Sequence, residues 1–225
     1  MCTVGAPQPG VVVSVNEDAL VELAASSGCV LEVAVRVGDF VPEGGPLFHI
    51  HPDDSGAAPS PNHRRLLAQV AQDSERTMEQ DLAFGFRQLV DIVERALSPS
   101  TNDPTTACQA IDMLHDLLRR LATRHLPTGN RVDLEGSLRL VLPQYGFADF
   151  VALTIEEIWR YGSDSVQIPE RLRAMLVDLS SAALPEHLEL LVRWTDALEA
   201  TADRPRAPLD LLDQPHTGAR GPTRD

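Results

Sequence analysis

Apolar positions in the first fifty residues repeat with a period of two, which is typical of β-strands. Residues 11–15 alternate in this way, and residues 30–35 read Val-Leu-Glu-Val-Ala-Val after a Ser-Ser-Gly turn. Between the two runs, residues 17–25 fit a short helix with Asn16 as its N-terminal cap. Residues 10–51 therefore predict a mainly β segment with one helix.

Further along the chain, apolar positions recur every three or four residues, as in amphipathic helices. A first stripe begins at Leu66 and Leu67 and continues to Val70 and Ala71. A stronger stripe predicts a helix from Leu82 to Leu97. It ends there because the residue before a proline, here Pro99, avoids the helical region.

Later segments continue the helical pattern. A helix is predicted to start at Pro104, another spans residues 146–161, and two more start at Pro169 and Pro185, since proline suits a first turn. The short apolar run at residues 138–142 fits either a strand or a helix turn.

The predicted fold class is α+β: a small N-terminal β module followed by a mainly helical bundle. The predicted division is a β module at residues 1–52, a linker rich in proline and small residues at 53–62, a helical domain at 63–203 and a disordered tail at 204–225.

Turn-forming pairs at Gly38-Asp39 and Gly44-Gly45 flank short strand material at Phe40-Val41 and Leu47-Phe48. This segment resembles half of a biotinyl/lipoyl-type barrel-sandwich hybrid. However, all nineteen basic residues of the chain are arginine, so no lysine is present to carry biotin or lipoate. The same absence excludes Schiff-base chemistry and a Walker-type phosphate lysine, and no cofactor is predicted.

Charge and cysteine content narrow the function further. The net charge of −14 disfavours nucleic-acid and anionic-lipid partners, because a protein needs a basic patch to bind either of them. Three cysteines without a Cys-x-x-Cys spacing indicate a reducing compartment. No apolar run approaches the roughly 20 residues of a transmembrane helix, and no signal peptide is visible. The sequence as given therefore predicts a soluble, cytoplasmic chain.

The loop between the two strongest helical patterns, residues 95–107, is crowded with hydrogen-bonding side chains. Asp103 can cap the following helix. In one interpretation, the backbone N–H groups after Asp103, with Thr105, Thr106 and either Arg76 or Arg95, receive an anion or a polar ligand. In the other, Asp103 caps the helix while Asn102, Ser98 and Ser100 satisfy a tight, buried structural corner. The sequence leaves both interpretations open.

The candidate ligand-binding residues are Arg76, Asp81, Arg95, Ser98, Asn102, Asp103, Thr105, Thr106, Arg160 and Tyr161. Arg76 and Asp81 could pair with each other, or with Arg95 and Asp103 in one charge network.

Three other groups of residues are candidates for chemistry. His49 and His51 share one face of a strand and lie near two aspartates, so a transition-metal site is conceivable, although exposed edge residues fit as well. Asp112 and His115 fit an acid–base pair or a surface pair. Cys108, in the first turn of a helix among apolar neighbours, is read as an inert thiol.

Several motifs together resemble one known family. They are Arg76-Thr77, Asp81, Phe84-Gly85, Leu-Val-Asp-Ile at 89–92, the Ala-Leu-Ser-Pro…Asn-Asp-Pro-Thr-Thr-Ala block at 96–107, and Ile-Trp-Arg-Tyr-Gly-Ser-Asp-Ser-Val at 158–166. Gly10-Val11 and the Gly38–Val41 segment fit the β-like part of the same family. Residues 10–190 thus resemble the predicted bacterial membrane proteins called domain of unknown function 2254.

The resemblance implies a membrane-protein context but no reaction, ligand or catalytic residue. Family members carry several transmembrane helices before this region, so we expect the chain to be the soluble C-terminal half or a shortened homologue. The leading functional hypothesis is a non-enzymatic ligand-sensing or assembly module that forms a homo-oligomer and binds a small polar ligand. The alternative is a metal-dependent hydrolase that uses histidines and carboxylates.

Overall fold

The computed structural model describes residues 2–53 and 61–202, which form two sheets and seven helices. The strands are β1 (Cys2–Gly5), β2 (Gly10–Val15), β3 (Cys29–Val33), β4 (Phe40–Val41), β5 (Pro46–Pro52), β6 (Val70–Asp73), β7 (Asn130–Val132) and β8 (Leu138–Val141). The helices are α1 (Glu17–Ser26), α2 (His63–Leu67), α3 (Leu82–Leu97), α4 (Pro104–Ala122), α5 (Phe147–Gly162), α6 (Gln167–Ala182) and α7 (Pro185–Ala202). The predicted α+β class is confirmed.

The larger sheet takes strands from distant parts of the chain. Its order is β1-β5-β3-β8-β7, and only the β3–β8 pair is parallel, with Leu31 opposite Leu140. The apolar run at residues 138–142 is therefore a strand. The proposed domain boundaries stay a prediction, although strands from both sides of the linker share this sheet.

The smaller sheet, of order β4-β2-β6, corrects the helical stripe expected at residues 66–71. Helix α2 ends at Leu67, and Val70–Asp73 instead pairs antiparallel with β2, Val70 lying opposite Val15. The unpaired edge of β2 offers backbone partners, and this tertiary pairing overrides the local helical pattern. A register shift between Val12 and Ser14 leaves Val13 as an extra residue in β2, so Val12 and Val15, three residues apart, both lie in the core.

Two hydrophobic cores result. The first lies between the sheets and α1 and includes Val12, Leu20, Leu31, Phe48, Ile50 and Leu140. The second lies among the long helices and includes Phe86, Val90, Ile111, Leu114, Ile155 and Leu176. The predicted apolar stripes of α3, α4 and α5 all face this second core.

Helices α3 and α5 run side by side in the same direction. Phe86 meets Phe150 near the two starts, with ring centroids 4.8 Å apart, and Leu97 meets Gly162 at the two ends. Helix α4 returns antiparallel to α3 after the corner at residues 98–103. Helix α7 begins at Pro185 as predicted, whereas α6 begins at Gln167, before the expected Pro169. The predicted tail lies outside the described residues.

Candidate functional site

The corner between α3 and α4 satisfies its own hydrogen-bonding groups. Asp103 accepts hydrogen bonds from the Thr106 hydroxyl at 2.6 Å and from the Thr106 backbone N–H at 3.1 Å, and these bonds lower the pKa of its carboxyl. The Ser98 hydroxyl donates to the backbone oxygen of Arg95 at 2.7 Å. Asn102 adopts a φ of 44° and donates its N–H to the backbone oxygen of Ser98. The corner is well bonded but largely exposed, not buried.

Arg160 and Tyr161 lie at the same end of the helices as this corner. Both side chains are exposed. The adjoining Gly162 packs tightly, because a Cβ on it would lie 2.6 Å from Ile168 and 3.1 Å from Leu97. Arg95, Thr105, Arg160 and Tyr161 are thus brought to one end of the bundle, without a hydrogen bond joining the last two to the corner in the described residues.

Arg76 and Asp81 lie at the opposite end of α3. The Arg76 Nε donates to Asp81 Oδ2 at 2.9 Å, and Oδ1 of the same carboxylate accepts from the Phe84 N–H at 2.9 Å, capping the helix. The Asp81 side chain is only 2% exposed. Because α3 has 16 residues, about 24 Å of helix separates this pair from the corner. The sequence-predicted site residues therefore form two groups rather than one.

Gly38, in the β segment, packs directly against the Arg76–Asp81 ion pair. Its φ is +96°, and a Cβ at this position would lie 2.3 Å from Asp81 Oδ2 and 2.7 Å from Arg76 Nη2. The turn that contains Gly38, residues 36–39, is closed by the Arg36 N–H, which donates to Asp39 Oδ2 at 2.9 Å. The Gly-Asp turn and the start of α3 are thus one packed joint between the sheets and the helices.

A cleft of about 400 Å³ opens beside this joint. Its walls come from both parts of the molecule, and most of them are apolar: Val15, Val35, Leu82, Leu121, Leu142 and Phe150. This volume lies within the range of about 300–1,000 Å³ that small-molecule sites occupy.

The polar groups of the cleft differ in how far they are already satisfied. Asp81 is paired with Arg76, and Glu17 is paired with Arg131 at 2.6 Å. Arg36 is different. Its guanidinium lies over the ring of Tyr145, 4.5 Å from the centroid, and its nearest carboxylate, that of Asp149, is 3.9 Å away. The guanidinium of Arg36, a cation in the cleft lining, therefore has N–H groups that can still donate hydrogen bonds.

Sequence reasoning missed Arg36 and Tyr145. The one local signal is an arginine flanked by two valines immediately before the Gly38-Asp39 turn. Tyr145 lies in the segment between β8 and α5, more than 100 residues away along the chain, so no sequence spacing could link the two.

The groups considered for metal binding have separate partners. His49 is 3.1 Å from the Thr3 hydroxyl, His51 is 2.9 Å from Glu32, and Asp53 is paired with Arg139 at 2.8 Å. Among the described residues, no three or more His, Cys, Asp or Glu side chains are grouped so that they could hold a metal ion.

The remaining candidates on α4 also pair with other helices. Asp112 bonds to Arg171, and His115 is 2.8 Å from Asp178, so the two do not form an acid–base pair with each other. Burial raises the pKa of the Cys108 thiol, which disfavours a reactive thiolate.

Comparison with known proteins bears on the identity of the chain. Residues 1–178 match the family model described as "Predicted membrane protein (DUF2254)". The chain belongs to this family. An uncharacterized protein of Mycobacterium bovis and another of Mycobacterium tuberculosis H37Rv are each 40% identical to this DUF2254 chain over 180 residues. No solved structure matches it.

The aligned region is 79% of this chain but 34% of each relative, so the chain spans about a third of the length of the relatives it matches. Of the helices within the described ranges, none combines the length and the apolar character required to cross a membrane. That the chain is the soluble C-terminal half of a DUF2254 protein stays a prediction.

Proposed function

We propose that this DUF2254 chain is a non-enzymatic ligand-sensing module whose binding site is the cleft between the sheets and the helices. The observation that carries the proposal is the cleft itself: about 400 Å³, mostly apolar, with Arg36 as a cation available for a ligand. Convergent polar groups in a largely apolar cavity are the general character of small-molecule sites.

The position of the cleft favours sensing over simple binding. Its walls include Val15 and Val35 from the sheet layer, and Leu82, Leu121 and Phe150 from the helices. A ligand held between two packed layers changes the free energy of their relative arrangement, because it binds one arrangement better than others. The module would thereby report ligand to the membrane-protein context that the family implies.

The corner between α3 and α4 is the ligand site that the sequence suggested. Its Asp103 carboxylate and Ser98 hydroxyl already bond within the corner. A ligand that binds there would have to replace these bonds, whereas the cleft provides an apolar cavity and the guanidinium of Arg36. This comparison is why we place the ligand in the cleft.

A thermal-shift screen of small metabolites tests the proposal, because a ligand that binds the folded state raises the melting temperature by mass action. Each hit is repeated on Arg36→Gln and on Arg95→Gln, the second being an exposed arginine at the corner. Loss of the shift in the first variant alone supports the cleft. Loss in the second alone would place the site at the corner.

The predicted homo-oligomer stays a separate prediction, which light scattering of the purified chain would test. Metal content of the same sample tests the hydrolase alternative, for which we find no grouped ligands in the described residues.

A further inference from the structure

We infer that the cleft binds a small apolar carboxylate, with Arg36 as the residue that recognises the carboxylate group. This inference rests on the proposed function, since it names the chemical class of ligand for the same cleft. Three features carry it: the apolar walls, the ion pairing of the acidic residues in the lining, and an Arg36 guanidinium that makes no hydrogen bond within the described residues.

The apolar walls of the cleft favour a ligand whose main part is also apolar. Val35, Leu82, Leu121, Leu142 and Phe150 contribute hydrocarbon surface from five different segments of the chain. A sugar or a nucleotide phosphate in this cleft would leave hydroxyl groups or charges against side chains that cannot hydrogen-bond, which costs free energy. A short aliphatic or aryl-alkyl chain would instead gain by being removed from water.

The charged side chains of the cleft indicate which charged group the ligand carries. The acidic residues that line the cleft, Asp81 and Glu17, are each held in an ion pair, so they do not call for a cationic ligand. Arg36 has its ring contact and a distant carboxylate, and no hydrogen bond to its guanidinium is made within the described ranges. A carboxylate is the group that a guanidinium binds through two parallel hydrogen bonds.

Two further donors lie at the same cleft. Tyr145 and Gln144 both line the cleft, and within the described residues no hydrogen bond involves either side chain. The Tyr145 ring also holds the guanidinium of Arg36 in place, which lowers the entropy cost of binding an anion there. Arg36 and Tyr145 therefore act together as an anchor for the carboxylate.

Asp149 is the internal competitor for this anchor. Its Oδ1 lies 3.9 Å from Arg36 Nη2, while its Oδ2 accepts the Gly146 N–H at 2.8 Å at the start of α5. A ligand carboxylate has to displace only this long, partly exposed contact. Asparagine at position 149 would keep an oxygen for the Gly146 N–H and remove the competing charge.

The experiment titrates the full chain with 3-phenylpropionate and hexanoate, and with the matched neutral amides 3-phenylpropionamide and hexanamide. Amide chemical shifts in a ¹H–¹⁵N NMR spectrum give both the affinity and the location of binding. We expect each acid to bind at least about tenfold more tightly than its amide, with shifts at cleft residues. Arg36→Gln should reduce that ratio to about one, and Arg95→Gln should leave it unchanged. Asp149→Asn should tighten binding of the acids about two- to fivefold, as expected for loss of one exposed ion pair.

The outcomes separate the inference from the proposal beneath it. If acids and amides shift the same cleft residues with equal affinity, the cleft is a binding site but its carboxylate preference is refuted. If the shifts map to the corner, or if neither class binds up to its solubility limit, the proposed site and the ligand class both fall. If Arg36→Gln weakens acids and amides alike, Arg36 has only a structural role and its recognition role is refuted.

Discussion

Glu94 on α3 and Glu157 on α5 face each other, and replacing Glu94 with glutamine should make the protein more stable above neutral pH. Burial raises the pKa of Glu94 to about 7, helped by its hydrogen bond to Glu157 and by the charges of Glu157 and Asp91, while Arg87 opposes the change. Arg87 is itself bonded to Glu157. Glutamine mimics the protonated carboxyl, so it keeps a donor for Glu157 without adding a second negative charge.

The shifted pKa of Glu94 fixes how the free energy of unfolding changes with pH, in both sign and magnitude. A pKa raised from 4.5 to about 7 means that the folded state holds the Glu94 proton more tightly. The resulting stability is full below pH 4.5 and is lost as the pH rises through about 7. At 1.36 kcal/mol per unit the upper bound is about 3 kcal/mol. Solvent screening at this half-buried pair reduces the expected value to about 1–2 kcal/mol. Glu157 works in the opposite direction: although burial opposes it, the hydrogen bonds from Glu94 and Arg87 lower its pKa.

Urea unfolding of the wild type and of Glu94→Gln, at about pH 5 and about pH 8.5, measures the difference directly. The two proteins should unfold within about 0.5 kcal/mol of each other at the lower pH, whereas the variant gains about 1–2 kcal/mol over the wild type at the higher. Glu156→Gln, an exposed neighbour on α5, is the matched control and should show no such gain. A Glu94→Gln variant that is no more stable than the wild type at the higher pH would refute the reasoning.

Two further substitutions test the close contact at Gly38 and the buried hydroxyl of Thr154. Gly38→Ala should cost about 3 kcal/mol or more in urea unfolding, because its Cβ would meet the buried carboxylate of Asp81. Gly44→Ala, also at positive φ but in open space, should cost only about 1–2 kcal/mol, and equal costs would contradict the close contact. Thr154→Val should stabilise the protein by about 1 kcal/mol, since the buried Thr154 hydroxyl has no partner among the described residues. The Thr195 hydroxyl already donates to the backbone oxygen of Leu191, so Thr195→Val should give no gain in the same urea unfolding experiments.

Local chemistry predicted most of the elements. The caps at Asn16 and Asp103, Pro104 in the first turn of α4 and the apolar stripe of α3 all form as expected, because each depends on residues within one or two turns of chain. Pro169 misled the prediction of where α6 starts, since proline is tolerated anywhere in the first turn and here lies two residues inside.

Long-range pairings could not be predicted in this way. Nothing in the run at 138–142 tells that it lies beside β3 rather than in the helical part, because the register is set by a partner about 100 residues away. The same holds for the cleft, whose main cation, Arg36, meets Tyr145 only through the folded chain. Most of the predicted site residues carry hydrogen-bonding side chains close together in the sequence, and in the folded protein these groups bond to near neighbours, at the corner and in the Arg76–Asp81 pair.

Gly38 connects the start of α3 to the proposed ligand cleft. The Gly38-Asp39 turn and the segment from Arg76 to Asp81 are far apart in the sequence but meet at one partly buried ion pair. The cleft lies beside this pair, with Asp81 in its lining. Arg36 lies two residues before Gly38, so a ligand that moves its guanidinium acts on the backbone of that turn. Since Gly38 has no room to move toward Asp81, such a displacement would be passed to the start of α3 rather than absorbed locally. A rigid joint beside the proposed ligand cleft would suit the proposed sensing function, because such coupling depends on packed contacts with little freedom to relax.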